Sequence, residues 1–497
     1  MKKPTTILAS FCLLAALLLT QLAALSATES KLRNIVLILA DDMGNDMSGL
    51  GTPGLATPNL DQLARDGVLF TRAFSAAAVC SPSRAAILTG MFPHSNGLWS
   101  NTQNAGLDYP RIADKPERPS PVRSAIREDI PTLVELLKER GFYSAITQKS
   151  HIQPAWRFPF DKGFPYRNKP GEYQRLVGEV KNAAGERPFF LMANIASPHR
   201  PFKGHLAANG LGYEPATIDP EKISVPSWLP DTPLMRKDLA QYYACVQITD
   251  ACVGAVLAGL KEQGLLENTL VIFTSDNGFG YPRGKTSGYA AGLHMPFLVA
   301  GPGVRRNERC AVPVSLVDIM PTMLSAVGLP VPETVQGLSL WPLLKGQAKD
   351  FPRNVMMASE SEHYLARAVC DGRYYYVRNV VKPSGGFKRP PMNADLYDEK
   401  VWDNRAYRAT LEAQKEHPVK YGMLADFVDG HIPDEELFDL NSDPYCMKNV
   451  LSDPALTATL ETLRASLVDW RKRTDDRDTQ EALRLKFPKP LGTVSKE

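Results

Sequence analysis

Asn34-Ile35-Val36-Leu37-Ile38-Leu39-Ala40, followed at once by Asp41-Asp42, decides the fold class. A run without polar alternation leaves neither face for water, so it reads as a strand covered on both sides, as in a largely parallel sheet. Four more short apolar runs repeat the pattern: Phe142–Thr147, Pro188–Ala196, Thr269–Thr274 and Phe297–Ala300. Helical spacing fills the intervals over Asn59–Gly67, Ile130–Gly141 and Asp238–Gly264, with another helix over Val314–Gly328 entered near Pro321. Leu133, Leu136 and Leu137 share one helical face, and Gly141 supplies the stop. Strands and helices in this order predict an α/β, doubly wound architecture around a large, mostly parallel sheet.

Open sheets of this kind bind ligands beyond the carboxyl ends of their strands. Asp41 and Asp42 close the first run, and Ser275, Asp276, Asn277 and Gly278 close Thr269–Thr274. Lys149 and His151 follow Phe142–Thr147, and Pro198 and His199 follow Pro188–Ala196. Asp41, Asp42, Asp276 and Asn277 make an all-oxygen set whose three carboxylates would repel one another without a cation. Oxygen ligation suits a hard divalent ion, calcium ahead of magnesium, and disfavours zinc. Arg84, Lys149, His151 and His199 supply cations and proton donors for a tetraoxo anion. Lys285, on the glycine-containing loop Arg283-Gly284-Lys285-Thr286, folds back over the same ligand.

Cys80-Ser81-Pro82-Ser83-Arg84 stands where the small-residue segment Ser75 to Val79 gives way to a helical pattern. Pro82 suits a first helical turn, and backbone N–H groups there would face an anion together with the Arg84 guanidinium. Cys80 would then sit where negative charge is best tolerated, and could contribute a ligand atom to the metal.

The chain has 497 residues, enough for a large domain and a smaller one. Lys2 and Lys3 before the apolar run Ile7 to Leu19 read as a signal peptide over residues 1–27, which predicts export to the periplasm or beyond. No later segment reads as a bilayer span. The formal charge of +3 falls to +1 when Lys2 and Lys3 leave with the signal, which argues against general nucleic-acid binding. Cys245 and Cys252 share a helical face and read as core. With Cys310, Cys370 and Cys446 they do not make a dense disulfide scaffold. Residues 31–350 read as the catalytic domain and 351–497 as a C-terminal α+β subdomain. In the latter, Tyr364–Val369 and Arg373–Asn379 form a hairpin across Asp371-Gly372. Leu437–Leu440 and a helix over Ala455–Trp470 follow, while 380–430 shows no clear period.

The Cys-x-Pro-Ser-Arg string from Cys80, continued by Leu88-Thr89-Gly90, resembles the signature of the sulfatase family, as does Thr274-Ser275-Asp276-Asn277-Gly278. That resemblance implies an alkaline-phosphatase-like sandwich and oxidation of Cys80 to formylglycine by a formylglycine-generating or sulfatase-maturating enzyme. It implies calcium held by Asp41, Asp42, Asp276, Asn277 and the modified Cys80. Arg84 and Lys149 then hold the modified side chain and sulfate, His151 assists, and His199 and Lys285 contact the sulfate or leaving group. Within the family, Ser197-Pro198-His199-Arg200 and Asp231-Thr232-Pro233 look like the heparan N-sulfatase (sulfamidase) branch. Departures include Lys285, where that branch has arginine, and Gln148 in place of a usual glycine. The implied substrate is a sulfated saccharide, N-sulfated glucosamine at the non-reducing end of heparin or heparan fragments. Glycan O-sulfate hydrolysis, phosphoester hydrolysis and an unmodified sugar-binding role are the alternatives. Trp99, Tyr109, Glu362 and His363 fall in irregular segments and are candidates for the sugar-binding wall.

Overall fold

The computed structural model describes residues 32–102, 124–202, 206, 217–351, 354–360, 365–381, 405–417, 423–424, 426 and 431–476. The signal segment 1–27, Tyr109, Glu362 and His363 lie outside the described residues.

Nine strands form the main sheet: β1 Asn34–Ala40, β2 Gly67–Phe74, β3 Tyr143–Thr147, β4 Lys162–Phe164, β5 Phe189–Ile195, β6 Thr269–Ser275, β7 His294–Ala300, β8 Glu308–Cys310 and β9 Val314–Ser315. Their order is β4-β3-β5-β1-β6-β7-β2-β8, with β9 also paired to β2. β1 lies between β5 and β6 and is parallel to both, so Ile38 sits beside Ala193 and Phe273. This central position is why its whole run is apolar.

Alternate side chains enter two cores. Val36, Ile38, Ala193 and Phe273 meet helices α1 (Pro58–Asp66), α4 (Pro170–Ala184) and α5 (Pro233–Glu262). Ile35, Leu37, Met192 and Ile272 meet α2 (Cys80–Thr89), α3 (Leu133–Glu139) and α6 (Ile319–Ala326) on the other face. The helix α3 starts later than its periodicity suggested, because Thr132 and Glu135 form a reciprocal capping box. Conversely α5 starts at Pro233, five residues before its expected beginning, with Thr232 accepting from the Met235 amide.

Three features go beyond the sequence reading or depart from it. β7 is antiparallel to both β6 and β2, because residues 276–293 fold over one sheet edge and make no crossover back. β2 was hidden by Thr71-Arg72, which fall where its register against β7 shifts. The helix α5 is, by length and composition, apolar enough to span a bilayer, contrary to the sequence expectation. Its apolar stretch is 72% buried inside the protein, so that apolarity belongs to the core.

The second sheet is antiparallel: β10 (Val355–Glu360), β11 (Leu365–Cys370), β12 (Tyr374–Val381) and β13 (Glu435–Asp439), in that order. Asp371 Oδ1 accepts from the Arg373 and Tyr374 amides at 2.8 Å, which sets the β11–β12 turn. A helix, α7 (Arg405–Glu416), occupies part of the stretch expected to be a loop. One face of the sheet packs on Phe74, Ala78, Tyr289 and Leu293 of the main body. The other takes Leu460, Leu463, Leu467 and Trp470 from α8 (Thr457–Arg473).

Candidate active site

Five strands end at one edge of the main sheet, and each delivers part of a single buried cluster. The carboxylates of Asp41 and Asp42 follow β1; Asp276 and Asn277 follow β6; Cys80 opens α2 just after β2. Lys149 and His151 come from the β3 end and His199 from the β5 end.

Each carboxylate has its own cation. Lys149 Nζ donates to both oxygens of Asp41 at 2.7 Å. Lys285 Nζ donates to Asp42 at 2.7 and 2.8 Å and to Cys80 Sγ at 3.1 Å. Arg84 Nε donates to Asp276 Oδ2 at 2.8 Å. Cys80 Sγ lies 3.7 Å from Oδ1 of both Asp41 and Asp42. The Lys285 placement, the least secure from sequence, thus puts its ammonium at the centre of the group.

Burial opposes ionisation of Asp41, yet Lys149, His199, Arg84 and Lys285 hold it well below the usual carboxylate range. Asp42 is also held down against burial, chiefly by His199 and Lys285. Asp276, dominated by burial, is pushed up to about 6. Burial lowers both His151 and His199, and Lys149 and Arg84 push His151 down further. The Cys80 thiol is pushed up to about 12 by burial, so as a plain cysteine it stays protonated and is a poor nucleophile.

The residues fit a divalent cation. Ligand atoms of Asp41, Asp42, Cys80 and His199 lie within 4.8 Å of one another. Asn277 Oδ1 is buried with no hydrogen-bond partner, while its Nδ2 donates to Asp42 Oδ1 at 2.8 Å. Such an orphaned oxygen beside carboxylates is a ready ligand. Asp276 is differently placed: Oδ2 takes Arg84, and Oδ1 accepts from the Asn277 and Asp42 amides at 2.8 and 3.2 Å. Three carboxylates against Arg84, Lys149 and Lys285 leave the cluster formally neutral. A bound dication would turn it into an anion receptor.

The helix start differs from expectation. The Ser81 amide donates to Asn101 Oδ1 at 3.1 Å and the Ser83 amide to Val79 O at 3.0 Å, so neither faces the cluster as a free donor. The donor left without a hydrogen bond is on the side chain: Arg84 Nη2 is buried, with Asp41 Oδ1 at ion-pair distance, 3.8 Å away.

His151 Nε2 meets Thr102 O at 3.3 Å, while its Nδ1 has no partner. His199 Nδ1 contacts the Arg200 carbonyl, which leaves Nε2 3.5 Å from Asp42. Trp99 is 6% exposed, with its amide held by Ser124, so it offers the cleft no open face.

Sequence reasoning missed Asn194. Its Oδ1 accepts from Arg84 at 2.9 Å and its Nδ2 donates to the Thr147 and Lys149 carbonyls at 2.8 and 3.0 Å. The signal was present, since Asn194 is the one polar side chain within Phe189–Ile195. Asn101 and Thr102, in an irregular loop, gave none.

Strain gathers around this cluster. Of eight described non-glycine residues with positive φ, Asp42, Gln148, His151, Arg283 and Thr286 belong to its loops. Close packing also holds the 276–293 loop: a Cβ on Gly278 would lie 2.1 Å from Ala291 O.

Comparison with known proteins agrees with this geometry. Residues 33–329 match the Sulfatase family model. The human N-sulphoglucosamine sulphohydrolase is 32% identical, over 92% of this chain and 93% of that protein. An ulvan-active sulfatase of Formosa agariphila is 29% identical, over 89% of this chain and 76% of its own length. A solved 2-O glycosaminoglycan sulfatase shares the fold with TM-score 0.61 at 22% identity, covering 89% of this chain and 93% of that one. Sulfatases generally use a formylglycine and a divalent metal, and the Asp41, Asp42, Cys80 and His199 grouping suits that chemistry. The strand-end cluster of paired carboxylates and cations on a mixed α/β sheet, together with the family match over residues 33–329 and the 32% identity sustained over 92% of the chain, places this protein in the sulfatase family as a sulfuric ester hydrolase.

Proposed function

We propose that this sulfatase hydrolyses sulfated saccharides, and in particular the N-sulfate of non-reducing-end glucosamine in heparin or heparan fragments. The observation that carries the substrate is the 32% identity to N-sulphoglucosamine sulphohydrolase, sustained over 92% of this chain.

Formylglycine made from Cys80 supplies, once hydrated, a hydroxyl nucleophile, and a divalent cation, calcium in our reading, makes that hydroxyl more acidic. Asp41, Asp42, Asp276 and Asn277 are the residues we assign to the cation. Arg84 and Lys149 orient the sulfate oxygens, and Lys285, bonded to Asp42 and to Cys80 Sγ, adds charge beside the nucleophile. His199 Nε2, 3.5 Å from Asp42, is the group we assign to deliver a proton to the leaving oxygen or nitrogen. His151, held neutral by burial, takes up a proton at its unpartnered Nδ1.

Cys80 is only 1% exposed, which supports its conversion by a maturating enzyme before the chain closes. Export through the segment at 1–27 belongs to the same reading.

A panel of defined N-, 2-O-, 3-O- and 6-O-sulfated glucosamine saccharides, with phosphate esters alongside, tests the assignment. The N-sulfated member should turn over fastest. Preference for an O-sulfate would overturn the substrate assignment, and preference for a phosphate ester would overturn sulfate chemistry itself.

A further inference from the structure

We propose that the antiparallel sheet is a positioning device for the reaction: it clamps the loop that carries Lys285. This rests on the role given to Lys285 above. Residues 279–289 form no regular strand or long helix, and an ammonium on such a loop would be poorly fixed without support. Within the loop the Lys285 amide donates to Phe279 O at 2.7 Å, and the main body holds it through the Thr286 amide to Ala78 O at 2.8 Å and Arg200 Nε to Gly280 O at 3.2 Å.

The second sheet and the segment that follows β13 add further ties. Tyr375 on β12 donates its hydroxyl to Gly288 O at 2.8 Å. Tyr289 donates its own to Glu436 Oε2 on β13 at 2.7 Å, and Asn379 Nδ2 holds the same oxygen at 2.9 Å. Arg283 donates to Cys446 O at 2.6 Å, with its guanidinium carbon 3.5 Å from the Tyr289 ring centre. All of these side chains are buried, so the bonds have no competing water. Lys285 is flanked by positive-φ residues Arg283 and Thr286, a shape that persists only when its surroundings impose it. Tyr375 and Glu436 are therefore positioning residues, acting on the cleft through Lys285.

Tyr375→Phe deletes one clamp bond and keeps the ring. Hydrogen exchange followed by mass spectrometry on the full chain should show faster exchange across 279–289, with β1 and β6 unchanged. On the fastest-hydrolysed panel saccharide, kcat should fall about tenfold, the scale set by a small misplacement of a reacting group, with KM little changed. In a Lys285→Ala background the same change should cost less than about twofold, because the two residues act as one unit. Arg373→Ala breaks an exposed ion pair to Asp439 in the same sheet and serves as control, with unchanged exchange at 279–289 and unchanged kcat. Unaltered exchange at 279–289 in Tyr375→Phe, or a kcat loss undiminished in the Lys285→Ala background, overturns the clamp. Faster exchange in a protein that hydrolyses no sulfated saccharide keeps the clamp and removes the functional reading instead. Tyr289→Phe, which removes the hydroxyl donated to Glu436 and keeps the ring beside Arg283, repeats the exchange test should Tyr375→Phe fold poorly.

Discussion

Arg84 Nε lies 2.8 Å from Asp276 Oδ2, and neither side chain is exposed to solvent. Burial disfavours the Arg84 charge, but Asp276 and then Asp41 more than offset it, so the guanidinium is held firmly protonated. Removing one member of such a pair strands the other as a buried charge. Arg84→Met should therefore cost about 3–5 kcal/mol of stability, read by urea denaturation at neutral pH. Arg84→Lys keeps a charge but cannot reach Asp276 and Asn194 together, and should lose activity with a smaller stability cost. A Met variant as stable as the parent would contradict the pairing.

Cys80→Ala removes the atom on which the proposed nucleophile is built. Turnover should drop by at least about a thousandfold, in line with loss of a covalent nucleophile. The melting temperature should move little, because Asp41 and Asp42 keep their ion pairs with Lys149 and Lys285 when the thiol is gone. Peptide mass at residue 80 is the companion measurement, since an unmodified thiol in an active preparation would remove formylglycine from the account.

Chelation should abolish activity, and calcium should restore it better than magnesium. A ligand that binds only the folded state stabilises by about 2.7 kcal/mol at a hundred times its dissociation constant. Adding calcium should thus raise the melting temperature of the chelated protein. The fold itself should survive chelation, because Lys149 and Lys285 already neutralise Asp41 and Asp42. Full activity in excess chelator would count against the assigned metal residues.

Asp46 gives a pH signature away from these ion pairs. Burial pushes its carboxyl up to about 7, against hydrogen bonds from Tyr242 and Thr52 that favour the charge. The folded state holds this proton to higher pH than the unfolded chain, whose carboxyl releases it near 4. Asp46 therefore favours folding most at acid pH, and that contribution is lost as pH rises from about 4 through about 7. Asp46→Asn removes the titration. The variant's stability relative to the parent should rise across that window, by on the order of a few kcal/mol, in denaturation curves taken from pH 5 to 8. A difference independent of pH would show that Asp46 is ionised throughout.

Much of the architecture was legible because burial leaves a local trace. The uninterrupted runs at β1, β5 and β6 announced strands covered on both sides, and Asp371-Gly372 announced its turn. β2 escaped because Thr71-Arg72 mask its apolar character at a register shift, and the antiparallel direction of β7 was not legible because direction depends on the connection. Asp41, Asp42, Asp276, Asn277, Cys80, Lys149 and His199 were all readable as strand-end chemistry. Asn194 was visible only as a polar residue out of place.

By itself the sequence determined which groups stand at the strand ends, since a strand that must be buried along its length can place charge only where it stops. Tertiary structure alone decided that Lys149 meets Asp41, Lys285 meets Asp42 and Arg84 meets Asp276. Those pairings join residues far apart in the chain, and Coulomb and hydrogen-bond energies at these separations depend on ångström differences that no local pattern records.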